Sequence, residues 1–93
     1  MITAIVFIKA DVAMIPEVAT QIAAIDGVSE VYSVTGEIDL IALVKVRNHE
    51  EIAALVPDQL NKVAGVQSTA THIAFRAYSS SDLEAAFSLG GDG

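Results

Sequence analysis

The side chains in this sequence that could do chemistry are few, and they fall in two short segments. The first, Thr35-Gly36-Glu37-Ile38-Asp39, joins two apolar runs. Gly36 can take a positive φ, and Asp39 can accept hydrogen bonds from loop amides or hold an ammonium group. The second, Ser68-Thr69-Ala70-Thr71-His72, carries hydroxyls at alternate positions, so on a strand Thr69 and Thr71 share one face and can offer donors to a carboxylate. Each segment also has a plainer reading. A glycine and an acid between strands make an ordinary hairpin turn, and threonine is frequent in strands because its β-branched side chain packs well there. From the residues alone both readings stand for both segments.

Catalytic and metal chemistry find little else. His49 sits among charges beside a helix start and reads as a solvated residue, while His72 reads as a hydrogen-bonded partner in a sheet interface. The two are not at metal-ligand spacing, and the chain has no cysteine to join them or to form a disulfide. Glu50 and Glu51 belong in the first turn of a helix, where the macrodipole accounts for them. The glycines at 90, 91 and 93 follow no strand and open no helix, so they make no phosphate cradle. Tyr32 and Tyr78 have no basic groove beside them and read as packing residues. No catalytic residue, metal or cofactor is expected.

Charge and hydropathy narrow the partners. Five basic residues (Lys9, Lys45, Arg47, Lys62, Arg76) against twelve acidic ones give a net charge of −7, and the cations form no stripe. Such a surface repels the phosphate backbone, so direct nucleic-acid binding is not expected. Yet 53% of the 93 residues are hydrophobic and mean hydropathy is +0.53. No apolar run approaches the roughly 20 residues that span a bilayer. Met1 to Ala10 has neither a basic lead nor a cleavage site, so it does not read as a signal peptide. The excess of apolar side chain therefore points to burial against a second chain, and the expected location is the cytoplasm.

The elements that must position the two segments come from an internal repeat. Asp26-Gly27-Val28 is echoed by Ala64-Gly65-Val66, 38 residues further on, and each is preceded by a helix-like stretch and, before that, an apolar strand-like run. Strand, helix, Gly-Val, strand is therefore written twice. Residues 2–10 and 39–46 are apolar on both alternating faces and suit central strands; 28–35 and 66–76 mix in Ser, Thr, Glu and Gln and suit edges. The first helix is expected over Ile15 to Ile25, with Ile15, Val18, Ala19, Ile22 and Ile25 on one stripe, Pro16 in its first turn and Gly27 ending it. The second opens at Asn48, with Glu51 placed to reach back as in a capping box, and Ile52, Leu55, Val56, Leu60 and Val63 form its inner stripe. Pro57 predicts a kink or break after Val56, with the helix resuming through Val63. Residues 81–88 suggest a short terminal helix capped by Ser81. Residues 1–88 are then a single domain and 89–93 a frayed tail.

Two such units with right-handed crossovers give an α+β, ferredoxin-like βαββαβ fold: a four-stranded antiparallel sheet in the order 4-1-3-2, with both helices on one face. The central strands are apolar on both sides, Val6 and Ile8 opposing Ile5 and Phe7, and Ile41 and Leu43 opposing Leu40 and Val44. A bare second face would expose on the order of several hundred Å² of apolar surface, which monomers rarely tolerate. The expected cover is the same face of a second copy, making a dimeric α/β barrel.

The order T-G-E-I-D-L, apolar strand, helix, A-G-V-Q-S-T-A-T-H-I-A resembles the effector-binding half, or RAM domain, of the Lrp/AsnC (feast/famine) transcription regulators, over residues 1 to about 88. The resemblance implies sheet-on-sheet dimers that assemble further, often to octamers, and a free amino acid bound where dimers meet. It implies contacts to the effector from Gly36, Glu37, Ile38 and Asp39, helped by Thr69 and Thr71. Full-length members carry an N-terminal helix-turn-helix domain, whereas this sequence begins at the first strand. The expectation is a stand-alone effector domain that acts on transcription or amino-acid metabolism indirectly, with full-length Lrp/AsnC regulators as candidate partners. Two other readings share the topology. One is a small dimeric α+β barrel enzyme, a cofactor-free oxygenase or isomerase, which needs His72 or Asp39 in a pocket between sheet and helices. The other is an ACT-type amino-acid domain that associates side by side.

Overall fold

The protein, as a computed structural model, is described for residues 1–80; the expected terminal helix at 81–88 and the tail at 89–93 lie outside the described residues. Four strands and two helices follow in the order β1 (Ile2–Ala10), α1 (Ile15–Ala23), β2 (Val28–Ser33), β3 (Leu40–Val46), α2 (His49–Asp58) and β4 (Val66–Ala74). The sheet is antiparallel throughout with the order β2-β3-β1-β4, so the ferredoxin-like arrangement and the central and edge assignments both hold. The edge strands are shorter than expected: β2 ends at Ser33, with Val34 N–H still donating across to Asp39 O (3.0 Å), and β4 ends at Ala74.

Strand alternation separates two faces. Ala4, Val6, Ile8 and Ala10 of β1 and Leu40, Ala42, Val44 and Val46 of β3 are buried beneath the helices, where they meet Val18 and Ile22 of α1 and Ile52, Leu55 and Val56 of α2. The intervening residues Ile5, Phe7, Ile41 and Leu43 point to the other side of the sheet and are only half-buried. Tyr32, paired with Ile41, is 48% exposed on that side. The expected packing role of the tyrosines is thus not met within one chain, and Tyr78 too is exposed.

Helix boundaries depart from the sequence reading in three instructive ways. A 3-10 turn, Val12–Met14, precedes α1, with the Asp11 carboxylate accepting from Ala13 N–H at 3.0 Å. α1 stops at Ala23 rather than Ile25. In α2 the Asn48 side chain accepts from Glu51 N–H (2.9 Å), but Glu51 reaches past the cap to the N–H of Arg47 (2.8 Å). The helix also runs through Pro57 to Asp58 instead of breaking after Val56. A proline this close to a helix end removes one hydrogen bond from a turn that is already finishing. The chain then turns at Gln59 into a 3-10 turn, Leu60–Lys62, that sinks Leu60 fully into the core. Asn48→Ala leaves the Glu51 N–H without its side-chain cap and should lower stability by about 1 kcal/mol, measured by urea denaturation, whereas Asn48→Asp should leave it nearly unchanged.

The repeat glycines do more than end helices. Both have φ +98, and a Cβ on Gly27 would lie 2.7 Å from Leu55 Cδ1, while one on Gly65 would lie 2.6 Å from Val18 Cγ2. Each glycine closing one half of the chain therefore sits under the helix of the other half.

Candidate functional site

The loop 34–39 is built around Asp39. Its main-chain N–H donates to Ile8 O (2.9 Å), its carbonyl accepts from Val34 N–H, and its carboxylate Oδ2 accepts from Ala10 N–H (2.9 Å). Asp39 is thus clamped to the end of β1 through both main chain and side chain, which fixes where the loop leaves the sheet. Between the anchors, Gly36 has φ +110 and nothing stands within 4 Å of where a side chain would begin; Glu37 is exposed and Ile38 half-buried. The positive φ expected of Gly36 is present, and so is an Asp39 bond to an amide, although the amide belongs to β1 and not to the loop. The geometry leaves free peptide groups around Gly36, a solvated Glu37 carboxylate and the second oxygen of Asp39. Together these can meet the carboxylate and ammonium groups of a small zwitterion.

Thr69 and Thr71 lie elsewhere. Thr69 pairs with Ile8 and Thr71 with Val6. Directly paired residues share a face, so both threonines point to the helix side of the sheet. Thr69 Oγ1–H donates to Asn61 Oδ1 at 2.7 Å. The same Ile8 that pairs with Thr69 pairs with Leu40 on its other side, so β1 runs between this edge and the loop, and two strand spacings amount to about 10 Å. Within one chain the two segments flank a common strand end but do not meet. Asn61, the hydrogen-bond partner of Thr69, sits in a 3-10 turn that no sequence pattern marked.

His72 pairs with Ile5 on the open face, and its ring meets Phe7 edge-on, centroids 5.1 Å apart at 69°. Within the chain this ring contact replaces the hydrogen bond expected of it. The pocket between sheet and helices that the oxygenase reading needs does not receive His72, which points away from the helices. Among the described residues no group of three His, Asp or Glu side chains could hold a metal ion, and no helix is long and apolar enough to cross a membrane.

Comparison with known proteins agrees with this architecture. Residues 3–83 match the family model of the Lrp/AsnC ligand binding domain. An uncharacterised HTH-type transcriptional regulator of Pyrococcus horikoshii is 49% identical over 59 residues, 63% of this chain and 39% of that protein, so the chain spans well under two thirds of that curated relative. Among solved structures, a Thermus thermophilus protein superposes with a TM-score of 0.80 at 42% identity, covering 85% of this chain and 99% of that one. A feast or famine regulatory protein from M. tuberculosis, complexed with L-methionine, superposes with a TM-score of 0.72 at 25% identity, covering 86% of this chain and 54% of that one. With its fold, its strand order and nearly the whole described chain inside one family model, the protein belongs to the Lrp/AsnC ligand-binding domain family.

Proposed function

We propose that this protein is an oligomeric effector-binding domain that takes a free amino acid through the 36–39 loop and acts on transcription or amino-acid metabolism without contacting DNA through its own surface. The observation that carries the reading is the loop itself: Gly36 and Glu37 stand clear of the protein while Asp39 clamps their base to β1. A binding loop works best when its exposed polar groups are held on a rigid scaffold. Gly36, Glu37, Ile38 and Asp39 line one side of the site. Because Thr69 and Thr71 are about two strand spacings from them, the threonines contribute from a neighbouring subunit. A sheet-on-sheet dimer supplies the first level of assembly, and dimers associating further, to an octamer, place loop and threonines of different copies together. The related mycobacterial protein that holds L-methionine makes that amino acid the first probe. The net charge of −7 suits a cytoplasmic domain that works through another regulator and not on DNA directly.

A thermal-shift screen with the twenty amino acids tests this. A ligand at a hundredfold its dissociation constant adds about 2.7 kcal/mol, on the order of 10 °C for a domain this small. At least one amino acid should give that shift, and Glu37→Ala, an exposed change, should reduce it severalfold without altering the ligand-free midpoint. Silence across all twenty, or a Glu37→Ala protein that responds unchanged, overturns the assignment.

A further inference from the structure

At the end of the sheet opposite the 36–39 loop lies a cleft of about 540 Å³, bounded by the end of β3 with Arg47 just after it, the Asp26-Gly27 turn, Leu55 of α2 and the turn residue Gln59. Its volume falls within the usual range of small-molecule sites, about 300–1,000 Å³. We infer that this cleft is a separate binding site for a small carboxylate with an apolar body.

Three observations carry the inference. The cleft lining carries Arg47 beside two carboxylates, Asp26 and Glu51, while Lys45 reaches it through its main chain, its side chain alternating with Leu43 onto the open face. Arg47 forms no ion pair with any described residue, and Glu51 spends one carboxylate oxygen on the N–H of Arg47. That bond pins the Arg47 main chain and leaves its guanidinium free for an outside carboxylate, for which its planar donors are suited. The third observation is the glycine. A Cβ on Gly27 would meet Leu55 Cδ1 at 2.7 Å, Val46 Cγ1 at 3.3 Å and Lys45 O at 3.9 Å, all three belonging to residues of the cleft lining. The missing side chain keeps the cleft floor open where its apolar walls converge. Val46 and Leu55, 5% and 3% exposed, give that floor an aliphatic surface, while Asp26 at the rim can accept from an ammonium group if the acid carries one.

Amide chemical shifts of the isotope-labelled protein, titrated with 4-methylpentanoate, leucine and inorganic phosphate, test the site. Saturable shifts at Gly27, Leu55 and Gln59 with 4-methylpentanoate, weakened about tenfold or more in the Arg47→Gln protein and unchanged in Glu37→Ala, support it. Leucine binding at the same amides also supports it and places the ammonium at Asp26. The glutamine replaces an exposed side chain, and an unchanged thermal midpoint verifies that the variant is folded. Three outcomes overturn the site: no saturable shift up to about 10 mM, well into the weak regime; equal response to inorganic phosphate, which has no apolar body; or shifts confined to residues 36–39. The last of these leaves the amino-acid reading of the loop intact, so the two assignments fail separately.

Discussion

Leu43→Lys should turn an assembled protein into folded monomers. Leu43 lies near the middle of the open face, on central strand β3, paired with Ile5 of β1 and opposite Glu30 of β2. Around it Ile5, Phe7 and Ile41 are half-buried, Tyr32 is 48% exposed, and both helices lie on the other side of the sheet. In the separated chain a lysine there is harmless, because Leu43 contributes nothing to the buried cluster and Glu30 offers an opposite charge. In a twofold face-to-face dimer the change places two ammonium groups in one apolar interface, each costing several kcal/mol to desolvate. Association should weaken by roughly a thousandfold or more. Sedimentation velocity at micromolar concentration should show the wild-type protein as a dimer or larger and the variant as a monomer with an unchanged far-UV spectrum. A wild-type protein that sediments as a monomer removes the dimer, and with it the shared amino-acid site. A Leu43→Lys protein that still assembles places the interface on another surface.

Gly65→Ala should cost the protein several kcal/mol, more than the same change at Gly36. At φ +98 the backbone disfavours any side chain, and the added Cβ would stand 2.6 Å from Val18 Cγ2 with Met14 atoms at 3.4 Å. Val18 is fully buried, and Asp11 N–H holds the Gly65 carbonyl at 2.8 Å, so neither partner can easily withdraw. Conformational strain of about 1–2 kcal/mol and overpacking of about 1–3 kcal/mol both act in the folded state, for a combined loss of about 2–5 kcal/mol. Gly36→Ala is the control: φ is +110 but no atom stands within 4 Å, so only the strain remains. Urea midpoints should fall for both, with Gly65→Ala losing at least twice as much stability. Equal losses would show that the overlap with Val18 relaxes at no cost.

Hydrophobic periodicity within one chain determines the helix stripes and the strand faces. The stripe Val18 and Ile22 on α1, and Ile52, Leu55, Val56 and Leu60 after Asn48, are buried as their helical spacing requires, and the alternation of β1 and β3 correctly divided Val6 from Ile5 and Leu40 from Ile41. Residue type and position mark the repeat glycines as helix stops, but not their second role. Gly27 meets Leu55 and Gly65 meets Val18, pairs separated by 28 and 47 positions, and such contacts exist only once the halves have packed. The same holds at Pro57: local chemistry says where a helix is weakened, while burial of Leu60 decides where it ends.

The candidate site divides along the same line. That residues 35–39 form a turn with a positive-φ glycine and a bonding Asp39 follows from the residue types, because these preferences belong to the local chain. That the Asp39 carboxylate goes to Ala10 of another strand, that Thr69 and Thr71 face the helices with Thr69 bonded to Asn61, and that Lys45 and Arg47 share a cleft with Gly27 depend on strand register and on which side of the sheet the helices lie. Alternation along a strand has two equivalent phases, and only the packing of α1 and α2 against one face chooses between them.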